Sequence, residues 1–248
     1  MEEKQNRVEL RLPEQGDYNY SEAIKTLRTN IRFCGRNVKV VMFTSSLPDE
    51  GKSAVSLNFA VSMAKIGNRV LFIDSDIRKS VLISRYSVEG RIFGLTQYLT
   101  GQIGVTDAIY ETGIENLDMI FAGPYSPNPA ELLEDEYFEQ LLEYGREHYD
   151  YVVIDTPPVG SVIDGVIVAR HCDGAVIVIE SGAVSYRLVQ KVKNQIEMSG
   201  CRILGAVLNK VDLKAESYYS GYGYSRYGKY GKYGKYGYGA EKNEKQQK

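Results

Sequence analysis

The chain has 248 residues, 43% of them apolar, and a net charge of −2, enough for one domain of a little over 200 residues with a large core and a short tail. Between Lys214 and Lys248 eight Lys/Arg stand against three Glu, so that end carries +5 and the remainder −7, and an acidic body excludes a nucleic-acid-binding domain. No run approaches the ~20 apolar residues of a membrane span, the opening MEEKQNRVEL is too charged for a signal peptide, and Cys34, Cys172 and Cys201 are scattered and odd in number with His148 and His171 at no metal-ligand spacing, so a cytoplasmic protein with three buried, reduced thiols is expected.

Residues 1–18 are polar, carry Pro13 and Gly16, and read as a flexible lead-in. Asn19 is placed to cap a helix from Tyr20 to Phe33, with Glu22 as capping-box partner. Apolar, β-branched runs then alternate with helical patterns. Val38–Thr44, Arg69–Asp74, Leu117–Phe121, Tyr151–Asp155, Ala175–Glu180 and Ile203–Asn209 are predicted strands, and Ser53–Ile66, Pro129–His148 and Ser185–Met198 predicted helices. The last two have clear starts, Asn128 before Pro129 at N1 and Ser185 after a glycine-containing turn. Continuous apolar strands separated by helices predict an α/β fold, a doubly wound, mostly parallel sheet covered on both faces. Ligands of such sheets lie beyond the carboxyl ends of the strands.

The first strand runs into Ser46-Leu47-Pro48-Asp49-Glu50-Gly51-Lys52-Ser53-Ala54 and then a helix. This is the context of a phosphate-binding loop, where backbone amides at a turn and a helix N-terminus attract phosphate oxygens. Lys52 would reach the β- and γ-phosphates and the Ser53 hydroxyl would ligate Mg²⁺. Ser46 replaces the first glycine of the usual pattern. The second strand ends at Asp74-Ser75-Asp76, and Tyr151–Ile154 ends at Asp155 before Thr156-Pro157-Pro158, the pattern of a carboxylate that holds the metal. A tyrosine hydroxyl, with a pKa near ~10, needs a carboxylate to accept its proton. Asp74 is assigned as that base and Asp76 with Asp155 to the metal shell, the exchange of Asp74 and Asp76 being left open. Asn209-Lys210-Val211-Asp212 is literally the guanine-reading NKxD pattern; Asn209 and Lys210 are taken instead as a wall of the base pocket, an ordinary strand end being the alternative.

The segment 214–248 holds nine tyrosines, Tyr218, Tyr219, Tyr222, Tyr224, Tyr227, Tyr230, Tyr233, Tyr236 and Tyr238, five of them at a period of three. A stretch so rich in glycine has no apolar run with which to build a core and is expected to be disordered. The expected organisation is a lead-in over 1–18, a nucleotide-binding domain over 19–213 and this tail. A nucleotide site beside a string of hydroxyl acceptors suggests a kinase that phosphorylates its own tail.

Together, the modified Walker A segment Ser46–Ser53, the Walker A′ signature Ile73-Asp74-Ser75-Asp76-Ile77-Arg78, Walker B at Asp155, the run Ser126-Pro127-Asn128-Pro129-Ala130-Glu131-Leu132-Leu133 and the tyrosine cluster resemble the bacterial protein-tyrosine kinases of capsule and exopolysaccharide operons, in particular the Gram-positive kinases whose membrane activator is a separate protein. The resemblance runs from about Tyr20 to the end. It implies a P-loop NTPase of the deviant-Walker, partition-ATPase-like type that uses ATP and Mg²⁺. It implies a ring-shaped homo-oligomer in which the tail of one subunit enters the site of the next, and a membrane adaptor of the polysaccharide co-polymerase type that recruits the kinase to the inner face of the membrane. It further implies a cognate phosphotyrosine phosphatase and substrates such as sugar-nucleotide dehydrogenases or glycosyltransferases. The family's interface motif, Glu-x-x-Arg-x-x-Arg, reads Glu22, Lys25, Arg28 here; lysine lacks the bidentate fork of arginine. Asp49 replaces the family's usual glycine and adds negative charge beside the phosphates, which predicts weaker ATP binding. Partition and cell-division ATPases of the same fold carry a signature lysine where this chain has Leu47, and a tail that merely binds RNA or acidic polymer would leave Asp74, Asp76 and Asp155 unexplained.

Overall fold

Four central strands are apolar up to their carboxyl ends because each buries both of its faces. In the computed structural model, which describes residues 6–12 and 18–212, β2 (Val40–Ser45), β3 (Val70–Asp74), β6 (Tyr151–Asp155) and β7 (Gly174–Glu180) lie side by side in parallel within an eight-stranded sheet of order β1-β4-β5-β3-β6-β2-β7-β8. Alternate side chains go to opposite cores, as the two-residue period of a strand requires. Val40, Met42, Leu71, Ile73, Val152, Ile154, Ala175 and Ile177 join one cluster, and Val41, Phe43, Val70, Phe72, Val153, Val176 and Val178 the other. The first cluster is covered by α4 (Leu95–Leu99), α6 (Pro129–Glu134), α7 (Glu136–His148), α8 (Asp164–Ala169) and α9 (Tyr186–Met198), the second by α1 (Tyr18–Phe33), α2 (Lys52–Ala64) and α3 (Leu82–Arg85). α5 (Val105–Ala108) adds Ala108 to the first. The predicted doubly wound, mostly parallel sheet is therefore observed; among the described residues only the pairing of β4 (Tyr110–Glu111) with β5 (Leu117–Ile120) is antiparallel, and the edge strand β1, parallel to β4, shares its direction.

All six predicted strands and the three predicted long helical segments are found within two residues of their expected limits, with β8 at Ile203–Asn209. Four details differ. Residues 6–12 are not a loose lead-in: β1 (Asn6–Arg7) pairs with β4, the Val8 amide donates to the Glu111 carbonyl at 2.8 Å, and Val8 is buried. α1 already includes Tyr18 and Asn19, so Asn19 lies inside the first turn rather than at the cap, and the Glu22 carboxylate accepts from Lys25 Nζ at 2.6 Å. The expected single helix Pro129–His148 breaks at Asp135, whose side chain accepts from the Tyr137 amide and so caps α7. Cys34 and Cys172 are half-buried and only Cys201 is buried; burial raises the pKa of both Cys172 and Cys201.

The chain divides into two compact units, Met1–Lys210 and Val211–Lys248; of the second only Val211 and Asp212 are among the described residues. The tail tyrosines lie outside them. Among the described residues no helix is long and apolar enough to cross a membrane.

Candidate active site

Parallel pairing brings the carboxyl ends of β2, β3, β6, β7 and β8 to one edge of the sheet. The loop from Ser46 to Gly51 leaves β2 there and turns into α2. Its two tight points are Asp49, at φ 64°, and Gly51, at φ 85°. Aspartate is among the side chains that tolerate this region. Gly51 is required twice over, since a Cβ there would lie 2.1 Å from Asn209 Nδ2. Gly51 is the N-cap of α2, and no side chain caps the helix. Its first amides therefore keep their capacity for an anion, reinforced by the positive end of the helix dipole.

The loop is held from the interior and from the sheet. Glu50, 2% exposed, accepts from the Leu47 amide at 2.7 Å and the Glu180 amide at 3.2 Å. Asn209 Nδ2 donates to the Glu50 carbonyl at 2.9 Å, and Lys210 Nζ to the Asp49 carbonyl at 2.6 Å and to Glu180 Oε2 at 2.9 Å. Asn209, expected beside the base, is thus a clasp on the loop, while Lys210 both clasps it and lines the cavity.

Lys52 lies against the Walker B carboxylate: Nζ donates to Asp155 Oδ1 at 2.7 Å and to Ser53 Oγ at 3.1 Å. Ser56 Oγ donates to the same Oδ1 at 3.1 Å. Asp155 Oδ2 is buried without a hydrogen-bond partner, as is Ser46 Oγ. A buried carboxylate oxygen left open is unusual, and it fits a site built to meet a cation, with the uncapped helix end beside it for phosphate.

Asp74 and Asp155 are register partners across β3 and β6. Asp74 is 1% exposed; burial first, and then the neighbouring Asp155 charge, push its pKa up to about 7. Its oxygens accept from Ser80 Oγ and, at 3.2 Å, from the Asp76 amide. Asp74, expected to be the base, does not line the cavity, whereas Asp76 does. That cavity, about 660 Å³, is walled by the loop from Pro48 to Ser53 on one side and by Asp76, Arg78, Lys79, Pro157 and Pro158 on the other. Ala54 is half-buried in the first turn of α2 and outside the lining.

Sequence reasoning missed a half-buried ion pair at this edge. Arg78 forks onto Asp164, Nε to Oδ2 at 2.6 Å and Nη2 to Oδ1 at 2.8 Å, tying the Walker A′ turn to α8. The available signal was one acid inside the apolar run Val159–Ala169. Of the expected interface residues, Glu22 and Lys25 pair at the surface, while Arg28 Nη1 donates to the Ser62 carbonyl at 3.1 Å and to Ser62 Oγ at 3.0 Å, docking α1 on the last turn of α2.

Residues 39–202 match the AAA domain family model. The chain is 41% identical over 204 residues to the tyrosine-protein kinase CpsD of Streptococcus agalactiae, covering 82% of this chain and 89% of that one. It is 38% identical over 205 residues to the tyrosine-protein kinase YwqD of Bacillus subtilis, covering 82% and 86%. Among solved structures, the chimerical protein CapA2B2 superposes with a TM-score of 0.75 at 34% identity, covering 80% of this chain and 88% of that one. The kinase domain of the Escherichia coli tyrosine kinase ETK gives 0.72 at 32%, covering 77% of each. The septum site-determining protein MinD of Pyrococcus horikoshii, solved with Mg-ADP, gives 0.59 at 23%, covering 68% of this chain and 69% of that one, a likeness of fold. A P-loop α/β fold with a nucleotide-binding edge, matched at this identity over most of its length, places the chain in the family of bacterial tyrosine-protein kinases.

Proposed function

We propose that this chain transfers the γ-phosphoryl group of ATP to the tyrosines of its own C-terminal cluster, Tyr218 to Tyr238, one subunit acting on the tail of another. The observation that carries the proposal is the convergence on one cavity of the uncapped α2 N-terminus, Lys52 and Asp76, with the open Asp155 oxygen beside Lys52. Loop and helix amides from Ser46 to Ala54 would hold the phosphates, and Lys52 would leave Asp155 to pair with the β- and γ-phosphoryl oxygens. Ser53 and Asp155 would hold Mg²⁺, which neutralises charge on those oxygens. Asp74 shares the Asp155 side of the site, so its charge also favours a cation there. Asp76, facing the cavity, takes the role of base in the exchange left open by the sequence. The phenolic oxygen bonds to the γ-phosphorus, the bond to the β–γ bridging oxygen breaks to release ADP, and the phenolic proton passes to the Asp76 carboxylate.

The wider setting is proposed on family likeness. The kinase is cytoplasmic, assembles as a ring through α1 with Glu22, Lys25 and Arg28 at the contact, and is recruited and activated by a polysaccharide co-polymerase-type membrane adaptor. Its phosphorylation state, reset by a phosphatase, regulates capsular or exopolysaccharide synthesis and export. Radiolabelled ATP with magnesium, with and without an adaptor fragment, should label the chain at Tyr218 to Tyr238, and Lys52→Met should abolish the label. Label retained by Lys52→Met removes Lys52 from the mechanism, and label absent under every condition removes the kinase reading.

A further inference from the structure

The two oxygens of the Asp155 carboxylate keep different company. Oδ1 accepts from Lys52 Nζ at 2.7 Å and from Ser56 Oγ at 3.1 Å, whereas Oδ2 is buried without a hydrogen-bond partner. Asp155 and Ser56 are both 0% exposed, so among the described residues these two donors orient the carboxylate. The Asp155 backbone is fixed separately, its carbonyl accepting from the Ser75 amide at 2.9 Å and from Ser75 Oγ at 2.8 Å.

The two donors are not equivalent. Lys52 is a charge on a flexible four-carbon stem, and the proposed function needs it to leave Asp155 for the phosphates. Ser56 lies one turn further along α2, three residues after Ser53 and four after Lys52, and a short side chain with one torsion cannot follow. Its Oγ also lies 3.2 Å from the Ser53 carbonyl, and a hydroxyl has one proton to donate. While Lys52 neutralises Asp155, either acceptor can take that proton. Once the ammonium has turned away, the bare carboxylate is the stronger acceptor.

We infer that Ser56 is a positioning residue for the Walker B carboxylate: it holds Oδ1 after Lys52 has turned to the phosphates, and so keeps Oδ2 open for Mg²⁺. The inference rests on the nucleotide and magnesium reading of the site and adds to it a residue outside the Walker segments. The terminal torsion of an aspartate is broad. Without a donor on Oδ1 the carboxylate would turn, and the orientation that meets the cation would have to be selected at the moment of binding. Removing a hydrogen bond that fixes a metal-holding side chain typically costs ~10- to 100-fold in metal affinity.

The test is ADP binding by the full chain, followed by calorimetry without magnesium and across a magnesium titration. For the unaltered chain, magnesium should tighten ADP binding. Ser56→Ala should bind ADP without magnesium as the unaltered chain does, yet need roughly 10- to 100-fold more magnesium for the same tightening. Ser56→Thr, which returns the hydroxyl, should recover most of the magnesium response. A magnesium response in Ser56→Ala equal to that of the unaltered chain overturns the assignment. So does a loss of magnesium-free ADP binding in Ser56→Ala as large as the loss of magnesium response, because the hydroxyl then supports the loop and not the carboxylate. An unaltered chain whose ADP binding ignores magnesium fails the reading of the site itself, and the role of Ser56 falls with it.

Discussion

Arg78 and Asp164 form a fork whose ends differ in exposure: the arginine side chain is 36% exposed and the aspartate 0%. Removing the arginine strands a buried carboxylate, a change that costs roughly 3–5 kcal/mol when a buried pair is broken. Removing the carboxylate leaves a guanidinium that water can reach. Arg78→Met should therefore lower the urea midpoint more than Asp164→Asn, and equal losses would contradict this account. Asp74 makes a prediction in pH. Its folded pKa is about 7 against ~3.9 unfolded. Between these values the folded chain holds a proton that the unfolded chain has released, so stability falls as pH rises. The contribution is complete below the unfolded value and gone above the folded one. Urea midpoints at pH 5.5 and 7.5, without nucleotide, should separate for the unaltered chain and stay closer for Asp74→Asn. Parallel profiles would show that Asp74 does not titrate in this window. The residues that form the site were mostly legible, because Lys52, Asp74, Asp76 and Asp155 stand next to strand ends in the sequence. The fork was not, because its partners lie 86 positions apart and only packing brings them together.

At the scale of elements, Gly145 sits inside α7, where glycine costs about 1 kcal/mol relative to alanine. A Cβ there would lie 2.8 Å from Val152 Cγ2 on β6, and a β-branched side chain has little freedom to move aside. Crowding of this kind costs ~1–3 kcal/mol. Gly145→Ala is expected to lower the thermal midpoint in spite of its better helix propensity, and a rise would mean that α7 can lift from the sheet at little cost. The same scale explains what the sequence hid. β2, β3, β6 and β7 were legible because four or more apolar residues in a row leave few alternatives. β1 and β4, two residues each, are too short to show a period and are defined only by their pairing, β1 with β4 and β4 with β5. The break at Asp135 was legible in principle, since an aspartate followed by Glu136 is an ordinary helix start, but the apolar spacing runs on through it and masked the boundary.

For the whole molecule the governing quantity is the division of charge, +5 from Lys214 onward against −7 before it. Each tyrosine phosphate adds roughly −1.5 to −2, so about three cancel the positive end and further ones make it repel the acidic body and neighbouring tails. The phosphorylated protein should scatter light as a smaller assembly than the dephosphorylated one, and identical masses would exclude the charge mechanism. Fold class was the most legible property of all, because it follows from the alternation of apolar strands with helices and needs no single contact to be right.

The clasp of Asn209 and Lys210 on the carbonyls of Glu50 and Asp49 has a consequence for biosynthesis. The phosphate loop is translated early, yet the groups that fix its shape arrive about 160 residues later. At ~5–20 residues per second, a nascent chain would wait many seconds with its GKS segment made but unsupported. Nucleotide capture on the ribosome should begin only when β8 has emerged, and stalled chains ending before Ile203 should fail to retain ATP although their loop sequence is intact.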